Sequence, residues 1–174
     1  MLEIVLHSDG KCVPNPGTAT TGFVISSVDL PFRLMGAAKL HGKWSSSAAE
    51  YTAMVQGLRA LRIMLQKAGA EDEDCKVLIR TDSQMIAHQN TLSSRMSPIC
   101  RSLNRRNAFL RHRLLDEAEV IPAGIVRIEH VPRKYNTSAD FLTNYAYDNM
   151  RVGDGQIWVT ESGIHPCEKL LANS

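Results

Sequence analysis

Residues 76–90 read KVLIRTDSQMIAHQN. The first six have strand composition and run into Asp82, and 83–90 read as a short helix. The preceding segment gives that strand its meaning. Apolar residues at 53, 54, 57, 58, 61 and 65 recur with helical period on one face. Ser45, Ser46 and Ser47 offer N-caps ahead of them, and Gly69 offers a C-cap behind. A strand that follows so long a helix reads as a crossover strand, parallel to its neighbour.

Upstream of that helix, residues 2–7 (LEIVLH) read as a strand ended by Asp9-Gly10. Residues 22–28 (GFVISSV) and 32–39 (FRLMGAAK) read as two more, joined by a DLP stretch short enough for a hairpin turn. Downstream, Ser97-Pro98 opens a helix that reaches about residue 118, Pro standing where a first helical residue tolerates it. Residues 124–131 (GIVRIEHV) read as a strand, and 137–149 as a helix begun by Thr137 or Ser138. The order β-β-β-α-β-α-α-β-α predicts an α/β protein, a mixed sheet with helices packed on it. Residues 1–150 are expected to form one domain. Residues 151–174 read as a tail, either an added edge strand (QIWVT) or a loose end.

A chain of 174 residues suits one domain with a proper core. Apolar content of 44%, charged content of 22% and a net charge of +2 are ordinary for a globular protein and select no partner class. Charge is unevenly placed, however. Residues 71–74 (EDED) form an acidic knot, read as a solvated loop because it lacks the glycine and spacing of a calcium loop. Arg95, Arg101, Arg105, Arg106, Arg111 and Arg113 fall in a stretch without an acid. Cys12, Cys75, Cys100 and Cys167 form no CxxC pair, which argues against structural zinc and for free thiols in a reducing compartment. The N-terminus MLEIVLHSD is neither a secretory signal nor a membrane span, so an intracellular location, nucleus or cytoplasm, is expected.

Four carboxylates stand out. Asp9 and Asp82 are read as ending strands, and Glu50 and Asp140 as lying in the first turns of helices. Singly, each has a structural explanation: an acid favours a helix N-terminus, or caps one. In a mixed sheet, though, strand C-termini and following helix N-termini meet on one rim, where all four could converge. Crowded carboxylates repel and need cations. Hard oxygen ligands select Mg²⁺ or Mn²⁺ over zinc, and a pair of such ions suits phosphodiester cleavage.

Four blocks carry a family resemblance: SDGKCVPNPG, SSSAAEYTAMVQGLRAL, VLIRTDSQMI and EHVPRKYNTSADFLTNYA. In order and with workable gaps, they resemble the type 1 ribonuclease H family over residues 4–147. The resemblance implies a ribonuclease H-like five-stranded mixed sheet of strand order 3-2-1-4-5, flanked by helices. It implies metal-dependent endonucleolytic cleavage of the RNA strand in RNA–DNA hybrids, with two Mg²⁺ or Mn²⁺ ions bound together with substrate. By position, Asp9, Glu50, Asp82 and Asp140 would be the metal ligands, and His130 would assist proton movement and product release. Gly10, Cys12, Asn15, Ser46, Ser47, Gln84 and Asn136 would lie at the substrate, several of them in the minor groove, where 2′-hydroxyls mark RNA. A thiol at Cys12 suits the core or turn as well as a contact with RNA.

Two departures from the family pattern matter. Ser46 and Ser47 stand where the best-known members carry an Asn pair. No Trp-containing basic handle lies between Asp82 and His130, so this resembles a handle-less or retroelement-type member. The arginine-rich helix either partly replaces the handle through phosphate contacts or is a solvated face. The expected partner is an RNA–DNA hybrid and not a membrane. The chain is expected to act as a monomer, with a partner domain or subunit as a further source of grip. Two alternatives stand beside the enzyme: an inactive ribonuclease H-like binding module, and the ribonuclease H domain of a reverse transcriptase polyprotein. Retention of all four acids and the histidine favours catalysis over the first.

Overall fold

The computed structural model describes residues 1–30, 32–70, 73–90, 105–121 and 125–161. Chain order runs β1 (Leu2–Val13), β2 (Thr18–Ser27), β3 (Phe32–Lys39), α1 (Ser46–Lys67), β4 (Cys75–Thr81), α2 (Gln84–Asn90), α3 (Arg105–Glu119), β5 (Ile125–His130), α4 (Thr137–Asn149) and β6 (Gly155–Glu161). The expected start of α3 at Ser97-Pro98, with Arg95 and Arg101, lies outside the described residues.

Six strands form one sheet in the order β5-β4-β1-β2-β3-β6. β1 pairs parallel with β4, and β4 parallel with β5, whereas β1-β2-β3-β6 are antiparallel neighbours. The expected five-strand order is therefore present, with a sixth strand added on the far edge of β3. The addition is the edge strand expected as one option for the tail (QIWVT), and it makes six strands where the resemblance implied five. Its physical basis is Trp158, which pairs with Met35 across the β3–β6 ladder and meets Tyr145 of α4 edge-on, at 6.0 Å between ring centroids. Burying a large ring against a helix favours pairing over a free end.

The two sheet faces carry separate cores. On one, Ile4 and Leu6 of β1, Phe23 and Ile25 of β2, and Val77 and Ile79 of β4 pack against Tyr51, Met54, Leu58 and Leu61 of α1, with Leu110 and Leu114 of α3 outside them. On the other, Val24, Met35 and Ala37 pack against Leu142 and Ala146 of α4. The alternation along β1 follows from the pleat, which sends successive side chains to opposite faces. Glu117 of α3 is buried between Arg59 and Arg62 of α1 and ties the helical layer together. Among the described residues, no helix is long and apolar enough to cross a membrane.

β1 does not stop at Asp9. It continues to Val13, and the ladder Asp9↔Gly22 through Val13↔Thr18 is intact. The reversal falls instead on Pro14-Asn15-Pro16-Gly17, where two prolines remove ladder donors. Gly10 is thus a strand residue, and its missing side chain serves a close approach. A Cβ there would stand 2.2 Å from Glu50 N and 2.3 Å from the Ala49 carbonyl carbon. Gly22, opposite Asp9, does the same for the other face: its Cβ would stand 2.6 Å from Ala139 O of α4. These two glycines let helices close on both sides of one point in the sheet.

Candidate active site

That point carries the acids. Asp9 leaves β1 toward α4, and Asp82 follows the end of the adjacent parallel strand β4. Glu50 comes from α1, seated on Gly10. One carboxylate oxygen from each of Asp9, Glu50 and Asp82 lies within 4.8 Å of the others. Glu50 is not in the first turn of its helix. The N-cap is Ser45, whose side chain accepts from Ala48 N at 3.3 Å, so Glu50 sits a turn further in. The helix dipole therefore does not explain an acid here, since its effect fades beyond the first turn.

Asp9 is only 7% exposed and Glu50 only 8%. Burial, together with the Asp82 charge, pushes the Asp9 carboxyl up to about 6, against a hydrogen bond from Thr143 Oγ1 at 2.9 Å that favours the ionised form. Burial, then the charges of Asp9 and Asp82, raises Glu50 well above the usual carboxylate range; hydrogen bonds from the Gly10 amide and from Thr81 Oγ1 at 3.4 Å oppose this. Among the described residues, no Lys or Arg forms an ion pair with Asp9, Glu50 or Asp82. Three crowded carboxylates, none of them ion-paired among the described residues and all of them hard oxygen donors, fit one or more Mg²⁺- or Mn²⁺-type ions.

Asp140, in the first turn of α4, stands beside this triad and is not part of its 4.8 Å cluster. Its Oδ1 is paired with Arg133 Nη2, and its Oδ2 accepts from Asn144 Nδ2 at 3.2 Å. Arg133 lies in a 3-10 turn, Arg133–Tyr135, between β5 and α4. Thr143, Asn144 and Arg133 are site residues that reading the sequence missed. Asn144 had a usable signal, because a residue four on from an acid shares its helix face. Thr143, three on from Asp140, shares that face too, and only its bond to Asp9 depends on the tertiary fold; Arg133 reaches Asp140 from the turn just before α4.

His130 is exposed at the end of β5, paired with Thr81 in the ladder. With Gln84, Ala87, His88, Ile128 and Glu129 it lines an open groove of about 550 Å³ beside the acids. On the other side of the rim, Asn15 Oδ1 accepts from the Ser46 amide at 3.2 Å, linking the β1–β2 turn to the start of α1. Ser47 Oγ accepts from Asn107 Nδ2 at 2.8 Å. A second groove of about 420 Å³ is lined by Pro16, Lys43, Trp44, Ser45, Arg105 and Arg106, with the Arg106 guanidinium 4.7 Å from the Trp44 ring centroid. Of the arginines singled out in the sequence, Arg105 and Arg106 face outward and Arg111 is buried, so they do not make one stripe.

Two residues expected at the substrate turn inward. Cys12 is buried, its single S–H within reach of Pro14 O at 3.2 Å and Trp44 O at 3.1 Å, which places it in the turn and core. Asn136 is 1% exposed; its Nδ2 donates to Ser8 O at 2.9 Å and its Oδ1 meets His7 Nδ1 at 3.1 Å. It also caps the turn before α4 by accepting the Asp140 amide at its carbonyl, at 3.1 Å. Asn136 is thus a tether that holds the start of α4 to β1, and its burial leaves no face for substrate.

The RNase H family model matches residues 2–147. A ribonuclease H from Cupriavidus pinatubonensis is 30% identical over 86 residues, a stretch that covers 49% of this chain and only half the length of that relative. The crystal structure of RNase H1 from Halobacterium salinarum is similar at 27% identity and a TM-score of 0.59, covering 84% of this chain and 98% of that one. The N-terminal RNase H domain of a Mycobacterium tuberculosis protein shows 26% identity and a TM-score of 0.62, over 86% and 96% of the two chains. LC11-RNase H1, solved in complex with an RNA/DNA hybrid, shows 25% identity and a TM-score of 0.56, over 83% and 96%.

Proposed function

The chain belongs to the RNase H family, and on that premise we propose that it hydrolyses the RNA strand of RNA–DNA hybrids with Mg²⁺ or Mn²⁺, two ions binding together with substrate. The carboxylate cluster of Asp9, Glu50 and Asp82 carries this reading. Three clustered acids, Asp9 and Glu50 buried and none ion-paired among the described residues, are costly to hold, and a divalent cation offsets that cost. When bound, such ions would stabilise charge on the phosphate and supply an activated water.

The chain's own residues have distinct tasks in this account. Asp9, Glu50 and Asp82 hold the ions, and Asp140 completes the set from α4. Gly10 and Gly22 set how closely α1 and α4 bring their acids to β1. His130, exposed beside the cluster and outside it, is placed to carry a proton to or from the reacting phosphate and to assist release. Asn15, Ser46, Ser47 and Gln84 border the acids on a polar rim suited to the minor groove and its 2′-hydroxyls. Lys43, Arg105 and Arg106, around the Trp44 groove, suit backbone phosphates. This supplies grip in a chain without a Trp-bearing handle between Asp82 and His130. Residues 1–150 would serve as the catalytic domain, with β6 buttressing α4.

The test is a substrate panel. Purified chain is offered labelled RNA–DNA hybrid, double-stranded RNA and double-stranded DNA, with Mg²⁺, Mn²⁺ or EDTA. Cutting of the hybrid's RNA strand with either ion, and none with EDTA, supports the reading. Tight hybrid binding without cutting under any condition would instead make this an inactive binding module.

A further inference from the structure

We propose that Lys11 is a positioning residue for this reaction, acting through Asn144 on Asp140; the inference rests on the function proposed above. Lys11 Nζ donates to Asn144 Oδ1 at 2.6 Å. Asn144 Nδ2 in turn donates to Asp140 O at 2.7 Å and to Asp140 Oδ2 at 3.2 Å. An amide has two orientations of nearly the same shape, and its neighbours choose between them. An ammonium only donates, so Lys11 requires the amide oxygen on its side. That leaves the NH₂ group for Asp140. In the opposite orientation, Asn144 Oδ1 would face two Asp140 oxygens and Nδ2 would face an ammonium, losing every bond.

The placement of Lys11 is built into the fold. It follows Asp9 by two residues on the same face of β1, pairs with Thr20 of β2, and Thr20 pairs with Lys39 of β3. All three reach α4. Thr20 Oγ1 donates to Thr143 O at 2.9 Å, and Lys39 Nζ to Tyr147 O at 2.6 Å. The Tyr147 ring takes both ammonium groups on its face, Lys11 at 4.8 Å and Lys39 at 5.1 Å from the centroid. Among the described residues Lys11 forms no ion pair. Its charge is directed at an amide oxygen, one bond removed from the carboxylate it serves. Losing a group that orients a metal ligand from behind typically costs about 10–100-fold in metal affinity or activity.

A half-buried lysine beside a nuclease site has an obvious rival role, contact with a substrate phosphate, and the test separates the two. Lys11→Met keeps the stem over Tyr147 and removes the donor; Lys11→Arg keeps a donor. The expected loss in Lys11→Met is about tenfold in kcat with KM for hybrid within about twofold, and a Mn²⁺ affinity, read by calorimetry without substrate, about fivefold weaker. Lys11→Arg recovers most of both. In an Asn144→Ala background, Lys11→Met adds less than about twofold, because its effect passes through the amide. A raised KM with unchanged kcat and a shallower salt dependence would overturn the inference in favour of a phosphate contact. So would equal losses in both backgrounds, or a Lys11→Met protein with wild-type Mn²⁺ affinity. Wild-type protein that binds Mn²⁺ but leaves hybrid intact overturns the proposed function instead, and the Mn²⁺ affinities still decide the role of Lys11.

Discussion

Asp9→Asn should stabilise the metal-free protein while destroying its proposed function. The folded chain raises the Asp9 carboxyl from 3.8 to about 6, chiefly by burial and then by the Asp82 charge. The folded state therefore holds this proton more tightly than the unfolded state does. No cost arises below about pH 3.8; it grows as pH rises toward about 6 and is fully present above that. Roughly two units at 1.36 kcal/mol each give a cost of about 3 kcal/mol at neutral pH. Asparagine removes the charge, keeps the volume, and can still accept the Thr143 hydroxyl through its amide oxygen. Urea unfolding in EDTA at pH 8 should show the variant more stable by on the order of 3 kcal/mol. In a thermal melt that corresponds to roughly 6–12 °C for a chain of this size. At pH 4 the difference should shrink to near zero. Added Mg²⁺ should narrow or reverse it, because the wild type gains binding energy that the variant cannot. A variant less stable than wild type at pH 8, or a difference that ignores pH, would refute the argument that these carboxylates are held at a cost.

Other consequences follow from the same geometry. Gly10→Ala should cost ~1–3 kcal/mol or more in chemical denaturation and abolish cleavage, since the new Cβ would meet the α1 backbone 2.2 Å away. Asn136→Ala should cost about 1–3 kcal/mol, because Ser8 O and His7 lose a buried partner. Its kcat should fall while KM for hybrid changes little; a selective rise in KM would restore Asn136 as a substrate contact.

Local chemistry made most of the fold legible. The serine cap and apolar face of α1, the TDSQ boundary after β4 and the start of α4 at Thr137 are all written in neighbouring residues. Where sequence and structure differ, a partner distant in sequence is mostly responsible. Asp9-Gly10 looks like a turn, yet the ladder to Gly22 and Thr21 carries the strand through it, and Gly10 is needed for α1 rather than for a bend. Glu50 reads a turn too early for a local reason: three serines in a row offer competing caps, and only the bond to Ala48 N identifies Ser45. Asn136 and Cys12 sit within suggestive motifs, and only their burial shows that they face inward. The contacts of Lys11 with Asn144 and of Asp9 with Thr143 span more than 130 residues, beyond the reach of any local pattern.

The most direct test of the central claim compares wild type with Asp82→Asn on one hybrid carrying a 5′-labelled RNA strand. Asp82 is the most accessible of the three clustered acids, so the amide should perturb folding least. The account predicts Mg²⁺-dependent cutting of the RNA strand by wild type, leaving 5′-phosphate and 3′-hydroxyl ends. Asp82→Asn should still bind the hybrid and lose at least about a thousandfold in rate, as expected when a group that holds the catalytic ion is removed. Near-normal turnover by Asp82→Asn would contradict it.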